Sequence, residues 1–400
     1  MKILYLSAVC AQKRFDQCVL EGKITKMPQA QKYHHLLIEG LQKVADKPLT
    51  VISSYPIVGG EKKIYHTETE EENGIKYFYP GFMLFPFIRQ FCLLSNTIKL
   101  IFSNLTKDTV IVCDILNGSV CLAARFVRFF KKVKIVSIVT DVPGLTSGAR
   151  MKTLPWWKQI ESKIMSPINK KSLAKYDGYL LLTEAMNNVV NLRKHPYIVI
   201  EGHSDITMKN IENKLEEKSP IKNIMYAGGT HREFGIELLV KSFLAINNKE
   251  WELHIYGDGN YQNDLKRIAQ DHPNVKYFGM KPNAEIVKNQ LKAWVLVNPR
   301  FTNAEYVKYS FPSKTLECMV SGTPLLTTRL AGMPKDYYPY VYLFDEETKE
   351  GFVTILKNVF SKSAEELHDF GKKAKTFALE EKNNVKQANK LYSFLKQFIA

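Results

Sequence analysis

Short apolar runs alternate with longer amphipathic stretches along the whole sequence, and this alternation limits the possible folds more than any other feature. It is typical of strand-helix-strand units around parallel sheets, whose strands are buried on both faces. In the first half the predicted strands are Ile3–Leu6, Leu49–Ser53, Val110–Cys113, Val133–Val139, Gly178–Leu182 and Ile198–Ile200. In the second half they are Ile224–Ala227, Glu252–Tyr256, Val275–Phe278, Trp294–Val297, Pro324–Thr327 and Val341–Phe344. We therefore predict an α/β protein with two Rossmann-like parallel-sheet domains.

Polar, charged residues between His203 and Ser219 follow a predicted strand and mark the boundary between the domains. We predict a first domain over residues 1–203 and a second over residues 204–375. The last stretch of the chain is helical in pattern and has no strand left to connect. We predict that residues 376–400 form a helix that crosses between the domains and packs back on the first.

Positive charge is concentrated in the first half of the chain. Residues 1–200 contain 28 Lys and Arg against 15 Asp and Glu, so this half has a net charge of +13 out of +16 for the chain. This density fits a polyanionic partner, either anionic lipid headgroups or nucleic acid. The six cysteines show no C-x-x-C pair and no metal-ligand spacing, which is typical of reduced thiols in a cytosolic protein.

Two aromatic segments in this basic half suggest contact with a membrane surface. Phe82–Phe102 is rich in Phe and Leu but is interrupted by polar residues, so it can lie on a membrane more easily than cross one. Leu154–Met165 joins Trp156 and Trp157 to lysines, a combination that favours membrane interfaces. The alternative is that both segments are helices covering the sheet, with their aromatic side chains in the core.

The stretch YSFPSKTLECMVSGTP, from Tyr309 to Pro324, contains a lysine in an unfavourable place. Ser313 has the features of an N-cap, and Ser321-Gly322 those of a helix end. Lys314 would then lie at the positive end of a helix dipole, where a cation is destabilising. We expect an anion at this position, and without that anion the removal of Lys314 should leave stability unchanged or slightly higher.

Glycine-rich turns give weaker signals. The first predicted strand runs into SAVCAQKRF without a glycine-rich turn, which argues against a dinucleotide-dependent dehydrogenase. Gly257, in the sequence Tyr256–Asn260, follows another strand and belongs either to a phosphate-binding loop or to an ordinary strand-to-helix turn.

The second half resembles the nucleotide-sugar domain of retaining glycosyltransferases with two facing Rossmann-like domains (GT-B), close to glycosyltransferase family 4. The resemblance rests on five segments in order: IMYAGGTHREFGIELLVKSF, WELHIYGDGNYQNDL, NVKYFGMKPNAEIV, AWVLVNPRF and SFPSKTLECMVSGTPLL. It implies that the second domain holds a nucleoside diphosphate sugar, with the helix beginning near Ser313 pointing its amides at the diphosphate and Lys314 adding charge. Glu317 would accept hydrogen bonds from the ribose. The donor-binding residues implied are Gly228, Gly229, Thr230, Gly257, Tyr309, Pro312, Ser313, Thr315, Leu316 and Glu317.

The sequence departs from the family pattern at several positions. Tyr309 stands where the family usually has a glutamate that contacts the donor sugar. Gly229 and Phe234 replace an arginine and a lysine that contact the diphosphate. The resemblance leaves Arg232 and Lys314 as the available substitutes, and we predict that both are catalytic.

Acceptor-side residues are implied in the first domain. Asp141, a predicted catalytic residue, replaces a histidine that commonly ends a middle strand. It either orients a sugar hydroxyl or the acceptor, or it caps the following turn. Gln31 and His34, near the start of a probable helix, are the predicted acceptor-side residues.

Together these features predict a retaining hexosyltransferase that moves a sugar from a nucleotide donor to a lipid-linked or saccharide acceptor in capsular or other surface polysaccharide assembly. The sequence has no D-x-D motif, and we expect neither a metal nor a cofactor. We expect a cytoplasmic protein at the inner face of the membrane, with an anionic membrane surface and no nucleic acid as partner. The alternatives are an epimerase or phosphorylase of the same architecture, and a basic nucleic-acid-binding protein.

Overall fold

A computed structural model of the chain describes residues 1–23, 28–54, 63–85, 88–142 and 173–399. The chain forms two units. The first comprises residues 1–203 and 384–400, and the second comprises residues 204–383.

The sheet of the first unit has the strand order β10-β9-β8-β7-β1-β2-β5-β4. All neighbouring strands are parallel except β4 and β5. The central strands consist of β-branched and apolar residues buried on both faces, and all six residues of β7 are buried. The strands are β1 (Lys2–Ser7), β2 (Thr50–Ser53), β4 (Glu68–Glu72), β5 (Ile75–Tyr79), β7 (Thr109–Asp114), β8 (Lys134–Val139), β9 (Gly178–Leu181) and β10 (Tyr197–Val199), while β3 (Ile64–Tyr65) and β6 (Phe82–Met83) form a separate antiparallel pair.

The helices described in this unit are α1 (Gln12–Leu20), α2 (Pro28–Val44), α3 (Ile88–Asn104), α4 (Gly118–Phe130), α5 (Glu184–Val190) and, from the end of the chain, α12 (Asn384–Lys396). Helix α12 packs on α2. A Cβ atom on Gly40 would clash with the carbonyl of Asn384, so glycine is needed where these helices cross. Asn384 also donates a hydrogen bond to the Leu36 carbonyl (3.1 Å), which fixes the start of α12 on this unit.

The second unit has a six-stranded parallel sheet with the order β13-β12-β11-β14-β15-β16. Two apolar clusters form its core, one centred on Phe243 and Phe352 and the other on Met319 and Tyr337. Its strands are β11 (Lys222–Ala227), β12 (Trp251–Tyr256), β13 (Val275–Gly279), β14 (Val295–Asn298), β15 (Leu325–Thr328) and β16 (Tyr342–Phe344). Its helices are α6 (Ile236–Ile246), α7 (Gln262–Asp271), α8 (Asn283–Lys292), α9 (Ser313–Val320), α10 (Lys349–Phe360) and α11 (Ala364–Glu381).

The predicted fold class, two parallel α/β sheets, is confirmed. The sequence analysis did not predict β4, whose residues ETEEE lack any apolar alternation. Its glutamates are held by α1, since Arg14 bonds Glu68 (2.7 Å) and Glu70 (2.9 Å), and Glu72 accepts from the Gln12 amide (2.9 Å).

The end of the chain is organised differently from the predicted boundary at residue 375. Helix α11 runs through that position to Glu381, and the chain enters the first unit again at Asn384. The segment Phe82–Phe102 is divided between β6 and α3, and no helix among the described residues is long and apolar enough to span a bilayer. Leu154–Met165, with Trp156 and Trp157, lies outside the described residues.

Candidate active site

The loop after β11 brings the chain close to Lys314. The Gly228 amide donates to the Tyr256 carbonyl (2.9 Å), and the Tyr226 hydroxyl donates to the Gly229 carbonyl (2.8 Å). A Cβ atom on Gly228 would overlap the Lys314 ammonium and the Tyr226 hydroxyl, so a larger residue at this position would displace the ammonium from the backbone. The loop and Lys314, both of which the resemblance implies as donor contacts, therefore lie next to each other in the second unit.

A second glycine loop supports the first. Gly257 has φ = +125°, and a Cβ atom there would clash with the Gly228 carbonyl. The Thr230 amide donates to the Asp258 carbonyl (2.9 Å), and the Thr230 side chain is fully buried. Packing against Gly228 accounts for the glycine at 257, which favours the ordinary strand-to-helix turn. The Thr230 carbonyl accepts from the Tyr261 amide (3.0 Å), so its main chain joins the two loops.

Helix α9 begins at Ser313, so Ser313 is its first residue and was wrongly predicted as the N-cap. Pro312 occupies the N-cap position and provides no side-chain hydrogen bond. The side chains of Thr315 and Leu316 are buried in the core, and the Thr315 amide donates to the Pro312 carbonyl (2.8 Å). Glu317 lies half-buried one turn along the helix.

Lys314 is held at the carboxyl end of β11. Its ammonium donates to the Ala227 carbonyl (2.7 Å) and lies 5.6 Å from the centre of the Tyr226 ring. Burial lowers the pKa of Lys314, and the nearby Glu317 carboxylate offsets this only in part. The protein therefore keeps an ammonium in a poorly solvated place beside the start of a helix.

Arg300, which the sequence analysis missed, is a second cation close to Lys314. It follows β14 and lies 5.4 Å from the Phe234 ring centre and 5.0 Å from that of Tyr306. Burial is the main cause of the lowered pKa of Lys314, and the positive charge of Arg300 adds to it. Burial raises the pKa of Tyr226, and Arg300 offsets part of that rise. The Nε atom of Arg300 is buried and has no hydrogen-bond partner among the described residues. A position just after a strand's carboxyl end was the signal that could have identified it.

Neither Lys314 nor Arg300 has a carboxylate within 4.0 Å in the part of the chain that the structure describes. Two neighbouring, partly buried cations repel each other unless an anion lies between or beside them. This pair of cations, at Gly228 and the first turn of α9, is the best candidate for an anion site in the second unit.

Arg232 does not take part in this arrangement. Its guanidinium pairs with Glu237 and with Asp264 (2.5 Å) and lies 4.5 Å from the Tyr261 ring centre. Two carboxylates neutralise its charge, so the structure does not favour the predicted role of Arg232 as the replacement for the missing arginine.

Tyr309 lies on a 3₁₀ turn, Glu305–Tyr309, that leads into α9. The Lys308 ammonium lies 5.0 Å from its ring centre and 3.5 Å from the Glu305 carboxylate. Glu305 is exposed and engaged by Lys308, so it does not replace the family's glutamate. Tyr309 occupies that position as a half-buried aromatic side chain.

In the first unit, Asp141 follows β8 and Asp114 ends the adjacent strand β7. Burial raises the pKa of Asp141, and the negative charge of Asp114 adds to this. Two carboxylates at neighbouring strand ends form a polar centre at the carboxyl edge of the sheet.

His34 joins the same centre. Its Nδ1 lies 2.6 Å from the Tyr5 hydroxyl, and its Nε2 lies 3.3 Å from Asp114. This geometry fits a ring that accepts from Tyr5 and donates to Asp114. The predicted residues His34 and Asp141 thus meet through Asp114, a residue that the sequence analysis did not single out.

Gln31 has a structural role instead of the predicted acceptor contact. Its amide oxygen accepts from the Cys10 N–H (3.1 Å), and its amide nitrogen donates to the Cys10 carbonyl (2.7 Å). Both ends of the buried side chain therefore hold the turn after β1. Among the described residues, no group of three or more His, Cys, Asp or Glu side chains is arranged to hold a metal ion.

Residues 221–361 match the family described as Glycosyl transferases group 1. A comparison with curated protein sequences gives no match. Several solved structures share the fold over nearly the whole chain. Sucrose-phosphate synthase from Thermosynechococcus elongatus has a TM-score of 0.64 at 13% identity, with 99% of each chain covered.

The lipopolysaccharide outer core galactosyltransferase WaaB has a TM-score of 0.61 at 15% identity, also with 99% of each chain covered. Alr3699/HepE from Anabaena, solved in complex with UDP, has a TM-score of 0.60 at 11% identity, covering 99% of this chain and 100% of its own. These likenesses establish the fold. Together with the family match, they show that the chain has the two-domain fold of GT-B glycosyltransferases and that its second unit contains a segment matching the group 1 family.

Proposed function

We propose that the chain is a glycosyltransferase that works with retention, and that Lys314 and Arg300 bind the diphosphate of its nucleotide-sugar donor. The observation that carries the proposal is the pair of neighbouring cations without a carboxylate partner in the described residues. A diphosphate supplies the missing negative charge. The guanidinium plane binds two phosphate oxygens at once, and the ammonium adds a point charge.

The position of the pair supports a phosphate ligand in particular. The first amides of α9 point away from the helix at its positive end, which favours phosphate. Gly228 lets the Lys314 ammonium approach the backbone closely. Phe234, which stands where the family has a lysine, is covered by the Arg300 guanidinium. Arg300, which follows strand β14, thus provides the cation that the loop after β11 lacks.

The reaction breaks the bond between the anomeric carbon and the diphosphate oxygen. The acceptor hydroxyl attacks from the same face, its oxygen forms the new glycosidic bond, and its proton passes to the leaving phosphate. Negative charge therefore grows on the diphosphate in the transition state, where Lys314 and Arg300 are already placed to stabilise it. One such preorganised group contributes about 3–4 kcal/mol. This stabilisation does not require a metal ion.

The remaining donor contacts follow from the same helix. Glu317 lies one turn beyond Lys314 and accepts hydrogen bonds from the ribose hydroxyls. Tyr309 precedes the helix and contacts the donor sugar with its ring or hydroxyl, a role that a carboxylate has in the family.

We assign the acceptor to the first unit, to the centre formed by Asp141, Asp114 and His34. An Asp141 carboxylate with a raised pKa can accept or share the hydrogen of a sugar hydroxyl. We propose a lipid-linked or saccharide acceptor in surface polysaccharide assembly, handled at the cytoplasmic face of the membrane. The basic charge of residues 1–200 supports this location, since a lipid diphosphate in an anionic bilayer attracts such a surface.

The test is a panel of nucleoside diphosphates and their sugars in a thermal-shift assay, followed by product analysis. At about a hundredfold excess over Kd, a true donor nucleotide adds about 2.7 kcal/mol to stability. The sugar anomer in donor and product is then compared by NMR, and retention is expected. Inversion at the anomeric carbon, or no binding of any nucleoside diphosphate, would contradict the proposal.

The same assays separate the alternatives. An epimerase changes the sugar without an acceptor, and a phosphorylase requires inorganic phosphate as co-substrate. A nucleic-acid-binding protein binds oligonucleotides with steep salt dependence and turns over no nucleotide sugar.

A further inference from the structure

Helix α4 is apolar on two opposite sides. Its sheet-facing side has the spacing of a buried face, with Val120, Ala123, Ala124 and Val127 packed in the unit. On the opposite side, Leu122, Phe126 and Phe129 follow one another at helical spacing. A helix that is apolar on both sides is normally covered on both sides, and in the described part of the chain no element covers the outer side of α4.

The three phenylalanines at the end of α4 are strongly exposed. The exposed fractions are 49% for Phe126, 86% for Phe129 and 59% for Phe130. Their rings contact one another, with centres 5.1 Å apart for Phe126 and Phe130 and 5.3 Å for Phe129 and Phe130. We call this cluster the α4 phenylalanine surface. Clustered exposed aromatic rings mark an interaction site, because single exposed apolar residues are common but clusters are not.

Positive charge borders the surface. Lys131 and Lys132 follow Phe130 directly, are exposed, and have no carboxylate within 4.0 Å among the described residues. Lys134 and Arg128, by contrast, are both held by Asp177. The two unpaired lysines are therefore available to an outside anion.

The neighbouring helix α3 packs against α4 and adds a further exposed aromatic side chain, Phe91, with an exposed fraction of 71%. This helix belongs to the aromatic segment Phe82–Phe102, so one part of that segment does face solvent.

We propose that the α4 phenylalanine surface inserts into the interface of an anionic lipid bilayer, with Lys131 and Lys132 at the level of the headgroups. Charge complementarity selects this occupant: exposed rings enter the apolar boundary while the adjacent lysines meet anionic headgroups. Nucleic acid would use the lysines but leave the rings in water. This inference identifies the part of the chain that binds the membrane in the proposed function. It rests on the proposed function, because a lipid-linked acceptor is the reason for the enzyme to bind a membrane.

The test is sedimentation of the full chain with vesicles that contain about one-third phosphatidylglycerol in phosphatidylcholine, at low salt. The variants are Phe126→Ser with Phe129→Ser, and Lys131→Gln with Lys132→Gln. The double phenylalanine variant should partition onto vesicles about tenfold less than the wild-type protein or weaker still, since burying one such ring changes a partition coefficient by about tenfold. The lysine pair should lower it about 25-fold, and only on anionic vesicles.

Matched controls come from elsewhere on the surface. Leu20 is 87% exposed on α1, and Leu20→Ser should leave partitioning unchanged. Lys249 and Lys266 are exposed in the second unit, and their replacement by Gln removes the same charge with an effect of less than about twofold.

Three results would overturn the inference. The first is unchanged partitioning of the phenylalanine pair. The second is a melting temperature that falls clearly in that variant, which would show that another part of the chain covers the rings. The third is a wild-type dimer that the substitution dissociates without changing vesicle binding. Donor-nucleotide affinity is measured in parallel and should be the same in the variants and the wild-type protein. A wild-type protein that binds vesicles but no donor nucleotide would contradict the proposed function, while the inference about the α4 phenylalanine surface would stand.

Discussion

Replacing Lys314 by Met keeps the length of the side chain and removes its charge. In the free protein this loses the hydrogen bond to the Ala227 carbonyl, an interaction of a charged donor that contributes about 1.5–3 kcal/mol. Two gains oppose the loss, because the variant buries no ammonium and relieves an unfavourable helix-end interaction of about 0.3–1 kcal/mol. The net destabilisation should be below about 2 kcal/mol. Because of this hydrogen bond, we now expect a small loss of stability, where the sequence alone led us to expect unchanged or slightly higher stability.

The effect of Lys314→Met on turnover should be much larger. Losing one preorganised cation from the leaving diphosphate costs about 3–4 kcal/mol of transition-state stabilisation, so kcat at saturating donor should fall about 100- to 1,000-fold. Urea unfolding of the free protein is measured beside the rate. The matched control is Lys335→Met, since Lys335 is an exposed lysine that also begins a helical turn, Lys335–Tyr340. The control should retain its rate within about twofold.

A Lys314→Met variant that keeps its full rate would refute this reasoning. The cation would then serve only to fill the space between Gly228 and Tyr226, and the diphosphate would bind elsewhere. A rate loss matched by unfolding of the variant at the assay temperature would refute it equally, because the defect would then be structural.

Further predictions concern the ribose contact, pH, metal dependence and the second unit's stability. Glu317→Gln should weaken donor binding by about 1–3 kcal/mol in calorimetry, and unchanged affinity would reject the ribose assignment. Burial lowers the pKa of Lys314, so donor affinity should fall as pH rises through that lowered value toward 10.5, and Lys314→Met should abolish the fall. Over the same window the free wild-type protein should gain stability from this group, because the unfolded chain holds the extra proton there. Activity should survive EDTA, and a loss restored by manganese would reject metal-free transfer. Lys218→Met should destabilise the protein by about 1.5–3 kcal/mol without changing donor affinity, since its ammonium bonds two carbonyls at the end of α8 (2.9 and 2.8 Å).

The fold was predictable because the central strands of both sheets are buried on both faces and therefore read as continuous apolar runs. The sequence singled out Lys314 for another local reason, because a cation at a helix N-terminus conflicts with the helix dipole. Strand β4 carries no such pattern, because its glutamates are stabilised by Arg14, a residue more than fifty positions away in sequence.

The parts of the site that sequence reasoning missed depend on contacts between distant segments. The proposed role of Arg300 depends on Phe234 and Lys314, which lie near it only in the folded protein. Arg232 is neutralised partly by Asp264 on another helix, so its sequence position beside the glycine loop was misleading. Local pattern identifies where a charge is unusual, and tertiary structure decides which charges remain available.

The most direct test of the central claim compares, by calorimetry, the nucleoside diphosphate that the panel selects with its parent nucleoside. The ratio of their affinities reports the diphosphate contacts alone. In the wild-type protein the diphosphate should bind about 10²- to 10⁴-fold more tightly, the range expected for two charge-assisted contacts. In the variant Lys314→Met with Arg300→Gln, the ratio should fall to within about tenfold while nucleoside affinity is retained. A ratio that stays at the wild-type value in this double variant would show that these two cations do not bind the diphosphate.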